Sequence, residues 1–97
     1  MKYWLHPEAE NDLLDAAEFY REQADTALSQ CLLTEFEYAL SMLLQHPRLG
    51  ALWRPGKRRY VMRRFPYSVI YTIVGEEMHI LAVAHHSRRP GYWRGRK

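Results

Sequence analysis

The feature that most narrows the fold is a change of apolar spacing at Pro47. Before it, apolar residues recur every three or four positions. After it, they gather in short runs rich in β-branched and aromatic side chains. Helix period and strand period are therefore grouped along the chain, not alternated, which argues for an α+β arrangement instead of a repeating strand–helix one. Ala9, Leu13, Ala16, Ala17 and Tyr20 predict an amphipathic helix over residues 7–23. Pro7 suits its first position, where a missing N–H costs nothing, and Glu8 and Glu10 suit the positive end of the helix dipole. Leu28, Leu32, Phe36, Leu40 and Leu43, widened by Leu33, Ala39 and Leu44, predict a second helix over about residues 25–46. The residue before Pro47 is pushed out of helical geometry, so that helix stops there.

Tyr3-Trp4-Leu5-His6 reads as a first strand. Residues 47–57 carry Pro47, Gly50, Pro55 and Gly56 and read as a loop. Strands follow at Arg58–Arg64, Tyr67–Val74 and Met78–His85, the last two joined through Gly75-Glu76-Glu77. The expected order is β-α-α-β-β-β: an antiparallel-rich sheet with a helical hairpin packed on one face. The last two strands are apolar on both sides, so they should be central, and the second face also needs cover. Tyr92 and Trp93 are placed to supply it. A chain of 97 residues buries only roughly 60–65% of its unfolded surface, so one domain spanning 1–97 is expected, without a large cofactor pocket. Neither a membrane span nor a secretory leader is legible, and the lone Cys31 fits a reducing, cytoplasmic setting and a small core position.

Charge divides at the same place as period. Residues 1–46 hold nine acids and two bases, whereas residues 47–97 hold two acids and twelve bases, giving −7 and +10 within the net +3. Ten of those twelve bases are arginine. Arginine is the residue for forked contacts to phosphate or carboxylate, whereas lysine is the common solubilising choice on strand edges. Arg58, Arg59, Arg63, Arg64, Arg88 and Arg89, with Tyr92 and Trp93, are the expected partner-binding set. Tyr60, Tyr67 and Tyr71 join Tyr92 and Trp93 as rings able to stack on bases or side chains. His85 beside phosphate-gripping arginines has the chemistry of a general acid or base. The plainer expectation for His85-His86 is a strand-ending cap with His86 in solvent. Asp12, Asp15, Glu35 and Glu37 are expected to be solvated helix-surface acids. No metal-ligand spacing, glycine-rich phosphate loop or nucleophile elbow occurs, so no metal and no cofactor are expected.

His6-Pro7-Glu8-Ala9-Glu10, the Pro47…Gly50 loop, Arg64-Phe65-Pro66-Tyr67-Ser68-Val69-Ile70-Tyr71, Ile80-Leu81-Ala82-Val83-Ala84-His85 and the closing Arg88-Arg89-Pro90-Gly91-Tyr92-Trp93 follow one another in an order and spacing that resembles the RelE/ParE superfamily of type II toxin–antitoxin toxins. The Phe-Pro-Tyr and Tyr-Trp elements look closer to the ParE, or plasmid-stabilisation, branch. The resemblance implies a growth-inhibiting toxin neutralised by a cognate antitoxin. In ParE-like members it further implies inhibition of DNA gyrase without a catalytic centre. In RelE-like members it implies a ribosome-dependent endoribonuclease acting on mRNA. The cutting branch carries an arginine three residues before the strand tyrosine. Tyr71 matches that tyrosine, and Ser68 stands where the arginine would be. Arg88, Tyr92 and Lys57 lie at or near other positions of the cutting set, with His85 as a further proton carrier. The gap at Ser68 inclines the reading towards a non-enzymatic gyrase inhibitor, with the endoribonuclease as the alternative.

Overall fold

The computed structural model describes residues 1–89 and 91–96; Pro90 of the closing motif lies outside them. In chain order the elements are β1 (Lys2–Leu5), α1 (Pro7–Gln23), α2 (Thr26–Gln45), β2 (Ala51–Arg54), β3 (Lys57–Val61), β4 (Tyr67–Val74) and β5 (Glu77–His85). The strands form one sheet in the order β1-β5-β4-β3-β2. β1 runs parallel to β5, and the other neighbouring pairs are antiparallel. This is the expected α+β fold with one strand more.

That strand, β2, lies in the segment read as a loop. Ala51 sits opposite Arg59 and Leu52 opposite Arg58, with an irregular step before Arg54. Four residues are too few to show a period, and the Pro55-Gly56 turn that ends β2 looks like loop punctuation. Gly56, at φ +71°, closes the β2–β3 hairpin instead. At its other end β3 stops at Val61, short of the expected Arg64. Met62 and Phe65 turn into the core, while Arg63 and Arg64 point outwards.

The helix ends have identifiable caps. The Glu8 N–H donates to His6 Nδ1 at 3.0 Å, and the Leu28 N–H donates to Asp25 Oδ1 at 2.7 Å. Asp25 therefore fixes the break between helices that lacks glycine and proline. The Ser29 hydroxyl ties the two helices together by donating to the Ala17 carbonyl at 2.7 Å in the buried interface. Ala9, Leu13, Ala16, Leu32, Phe36 and Leu43 then pack on Val69, Tyr71, Met78, Ile80 and Val83 of the sheet.

On the opposite face Trp93 joins Ile70 and Ala82, with Trp53, Ala84 and Tyr92 around them. The tail aromatics thus supply the expected second cover. β5 serves both faces through a bulge. Ile70 pairs with Ala82 but Tyr71 pairs with Ile80, which leaves Leu81 as the extra residue. An extra residue inverts the alternation beyond it. Met78 and Ile80 face the helices before the bulge, and Val83 faces them after it.

The 47–50 loop is pinned from beneath. The buried Tyr71 hydroxyl donates to the Pro47 carbonyl at 2.7 Å and accepts the Gly50 N–H at 2.9 Å. Arg58 donates to the Gly50 carbonyl at 2.8 Å. A Cβ on Gly50 would lie 2.6 Å from the Tyr71 oxygen, so only glycine permits this approach.

Candidate functional site

Strand alternation sorts the basic residues before any ligand is considered. On β3, Arg58 and Tyr60 face the helix side, where Tyr60 packs against the core. Arg59 faces the open side, and its guanidinium lies 5.1 Å from the Trp53 ring. On β4, Ser68 and Ile70 are the open-side residues next to Arg59. Beyond β5 the chain turns at His86 and Ser87, bringing Arg88 and Arg89 beside them. A cleft of about 70 Å³ results, lined by Arg59, Ser68, His85, His86, Arg88 and Arg89, with Trp53, Tyr92 and Trp93 at its walls.

The expected partner-binding set is therefore divided. Arg59, Arg88, Arg89, Tyr92 and Trp93 converge on this cleft. Arg58 is committed to the 47–50 loop. Arg63 and Arg64 lie instead beside α2, 3.9 and 4.0 Å from Glu35 oxygens, with Arg63 over the Tyr38 ring. Lys57 shares the strand face of Arg59 but does not line the cleft.

Two expectations for the acids are corrected. Glu35 is buried, because it sits at the junction of α2 with the β3–β4 connection, and its Oε1 has no hydrogen-bond partner among the described residues. Asp12 is no solvated acid either. Its Oδ2 accepts from the Val83 N–H at 3.1 Å, the Tyr92 hydroxyl at 3.2 Å and Arg96 Nη1 at 2.7 Å. Arg96 also donates to the Leu81 carbonyl at 3.0 Å. Strand β1 pairs β5 only as far as Ile80. Asp12 and Arg96 thus take the place of a neighbouring strand for the backbone next to the bulge, and they fasten the C-terminal turns to α1. The 84-residue separation of Asp12 and Arg96 left no local signal of the pair.

The candidate proton carriers are likewise engaged. The Tyr92 hydroxyl points to Asp12, and burial first, then the adjacent carboxylate, pushes its pKa up to about 12. His85 Nδ1 accepts the Ser87 N–H at 3.0 Å and lies 2.7 Å from the Ser87 hydroxyl. This is the strand-ending cap. Its ring packs edge-on against Tyr67. Ser68, only 2% exposed, shares a 3.0 Å hydrogen bond with His86 Nε2. The stacking rings fare no better as open platforms: Tyr67, Tyr71 and Trp93 are buried, and Tyr92 lies beneath Arg88 at 3.9 Å and near Arg96 at 5.1 Å. Trp53, hidden in a supposed loop, is the aromatic residue that sequence reasoning missed.

Among the described residues no group of three or more His, Cys, Asp or Glu side chains is placed to hold a metal ion, and no helix is long and apolar enough to cross a membrane. No curated protein matches the chain. A solved structure described as "Chromosomal ParDE TA system from P. aeruginosa" is 22% identical, covers 88% of this chain and 95% of its own, and superposes with a TM-score of 0.78. That likeness shows a shared fold. A family profile described as "ParE toxin of type II toxin-antitoxin system, parDE" matches residues 3–90. With so much of its length matched, the chain belongs to the ParE toxin family of type II toxin–antitoxin systems.

Proposed function

We propose that this chain is a single-domain, cytoplasmic toxin that inhibits DNA gyrase by binding and is neutralised by a cognate antitoxin. Family membership supports the toxin and antitoxin parts of this reading. The choice of gyrase over mRNA cleavage is carried by the engagement of Tyr92: its hydroxyl already donates to Asp12, and its pKa is pushed up to about 12. A proton carrier for catalysis near neutral pH needs a pKa near the working pH and a free path to the reacting atom, and it typically contributes 10²–10⁴-fold. Ser68 adds to the argument. A buried neutral hydroxyl bonded to His86 replaces a charge that would stabilise the transition state, a loss of about a hundredfold.

Purified protein added to gyrase and relaxed plasmid should block supercoiling or trap cleaved DNA, and the cognate antitoxin should relieve the block. No effect at saturating protein would remove the gyrase reading. Cuts in ribosome-bound messages in a translation reaction, abolished by Arg88→Ala, would establish the ribonuclease in its place.

A further inference from the structure

We propose that Cys31 is a modification site, at which a small disulfide whose halves each carry two carboxylates and one ammonium forms a mixed disulfide with the chain. Cys31 is half-buried on α2 and lines a hollow of about 380 Å³ between that helix and the β3–β4 connection. A thiol alone selects no particular reagent, so the selection comes from its neighbours. Glu35 stands one helical turn further on, on the same face. Only 9% of it is exposed, and its Oε1 has no hydrogen-bond partner among the described residues. A buried acceptor left unpaired is costly, so this position is poised for a donor.

Arg63 Nη2 and Arg64 Nε lie 3.9 and 4.0 Å from the Glu35 oxygens, too far for hydrogen bonds. Their side chains are 63% and 64% exposed. Arg63 rests over the Tyr38 ring at 4.8 Å, which uses the flat face of its guanidinium and leaves the N–H edge for an acceptor. Two guanidiniums against one carboxylate leave the lining of the hollow with a net +1. A half-disulfide with two carboxylates and one ammonium carries the opposite charge and matches the hollow group for group. Its carboxylates suit Arg63 and Arg64, and its ammonium suits Glu35. Gln30 and Thr34 on the same wall offer hydrogen-bonding groups to amides between those charges. The volume falls within the roughly 300–1,000 Å³ of small-molecule sites.

The exchange balances without a further oxidant. The Cys31 sulfur attacks, as its thiolate, one sulfur of the reagent. A new S–S bond to Cys31 forms and the S–S bond of the reagent breaks. The other half leaves as a thiolate and takes up the proton that Cys31 lost. Cys31 is oxidised and the leaving sulfur is reduced. In a reducing compartment such a bond is transient and reverses with free thiol. This assignment stands independently of the gyrase reading.

The test uses the full folded chain with three reagents: glutathione disulfide, which has the required charges, uncharged 2-hydroxyethyl disulfide, and cationic cystamine. Intact mass spectrometry follows the adduct, and Cys31→Ser should remove it. Each rate on the folded chain is divided by the rate on the urea-unfolded chain, which cancels the reagent's own reactivity. The quotient should be largest for glutathione disulfide and smallest for cystamine. Arg63→Ala and Arg64→Ala should each lower the glutathione quotient relative to the hydroxyethyl one about threefold, the scale of an exposed ion pair. Arg21→Ala, the same charge change on α1, should leave it as in the parent. Glu35→Gln should remove the preference for glutathione disulfide over its N-acetylated form. Unchanged thermal unfolding of the variants separates lost contacts from lost fold. Absence of the adduct on the folded chain, a hydroxyethyl or cystamine quotient equal to or above that of glutathione disulfide, or insensitivity to both arginine variants would overturn the proposal.

Discussion

Replacing Asp12 with alanine should unfasten the C-terminal turns from α1 and β5 and cost about 3 kcal/mol of stability. The carboxylate receives three donors at 2.7–3.2 Å. Hydrogen bonds to a charged group contribute about 1.5–3 kcal/mol each in isolation, but their sum would exceed the true effect. Desolvation of the ion pair opposes them, and a released tail can carry Arg96 into water. The side chains of Arg96 and Asp12 are only 13% and 10% exposed, so solvent screens the pair weakly in the native state. Breaking a fully buried pair costs about 3–5 kcal/mol, and a pair on a terminal segment belongs at the lower bound. Asp12→Asn keeps one acceptor and should cost about half as much. Asp15→Ala, exposed on the same helix, should fall within about 0.5 kcal/mol of the parent. Urea unfolding with unchanged m-values gives the free energies. A double-mutant cycle with Arg96→Ala should return a coupling of about 1–2 kcal/mol. Hydrogen exchange supplies a local readout, because the Val83 amide loses its acceptor. If Asp12→Ala costs no more than Asp15→Ala, or Val83 exchange is unchanged, the idea that Asp12 replaces a missing strand fails.

The same knot makes alkaline stability informative. The Tyr92 pKa is raised from 10.0 to about 12, so the neutral hydroxyl is favoured in the native state. The stability it contributes is complete below about pH 10 and lost as pH rises towards about 12, on the order of 2–3 kcal/mol. Phenolate absorbance and urea midpoints across that range should move together, and Asp12→Asn should bring the step to lower pH. Flat stability through the window would contradict the assignment. At the 47–50 loop, Gly50→Ala should cost about 1–3 kcal/mol through overpacking against Tyr71. Tyr71→Phe should cost about 1–3 kcal/mol by stranding the Gly50 N–H. Removing the hydroxyl relieves only part of the overlap, since the ring carbon Cε1 would still lie 2.7 Å from the new Cβ, so the double variant should cost somewhat less than the sum in thermal unfolding; strict additivity would mean that the two residues do not touch.

Helix period made α1 and α2 legible, with Pro7 marking the start of α1 and Pro47 the end of α2; the break between them, without glycine or proline, is set by the Asp25 cap. β4 and β5 were legible from their β-branched runs. β2 was not: a four-residue edge strand has no room for a pattern, and its pairing is recorded in β3. The bulge at Leu81 was equally silent, since Ile80-Leu81-Ala82-Val83 is apolar whichever residue faces which layer. At the site, sequence reasoning named Arg59, Arg88 and Arg89 without the grounds to separate them from Arg63 and Arg64. Alternation explains part of the difference, since Arg59 is fixed on the open side of β3. The rest depends on where β3 ends. Had the strand continued to Arg64, Arg63 would have shared the face of Arg59. Termination at Val61 sends Arg63 and Arg64 to α2, where a buried glutamate meets them.

That separation gives the segregated charge of the sequence a physical meaning. A basic half and an acidic half packed together would be expected to neutralise one another across the helix–sheet boundary, and at two places they do. Asp12 from α1 takes Arg96, and Glu35 from α2 takes Arg63 and Arg64. Both encounters occur where helices reach past the sheet. The strands that build the open face contribute no acid near the cleft, and α1 reaches its rim through Asp12, which accepts from Tyr92 and lines a neighbouring hollow with Asp15 and Arg88. Among the described residues Arg59, Arg88 and Arg89 form no ion pair there, and the helical hairpin covers only the other side of the sheet. Part of the excess positive charge therefore gathers on the open face as a consequence of topology, with Asp12 and Asp15 of α1 bordering it on the Arg88 side.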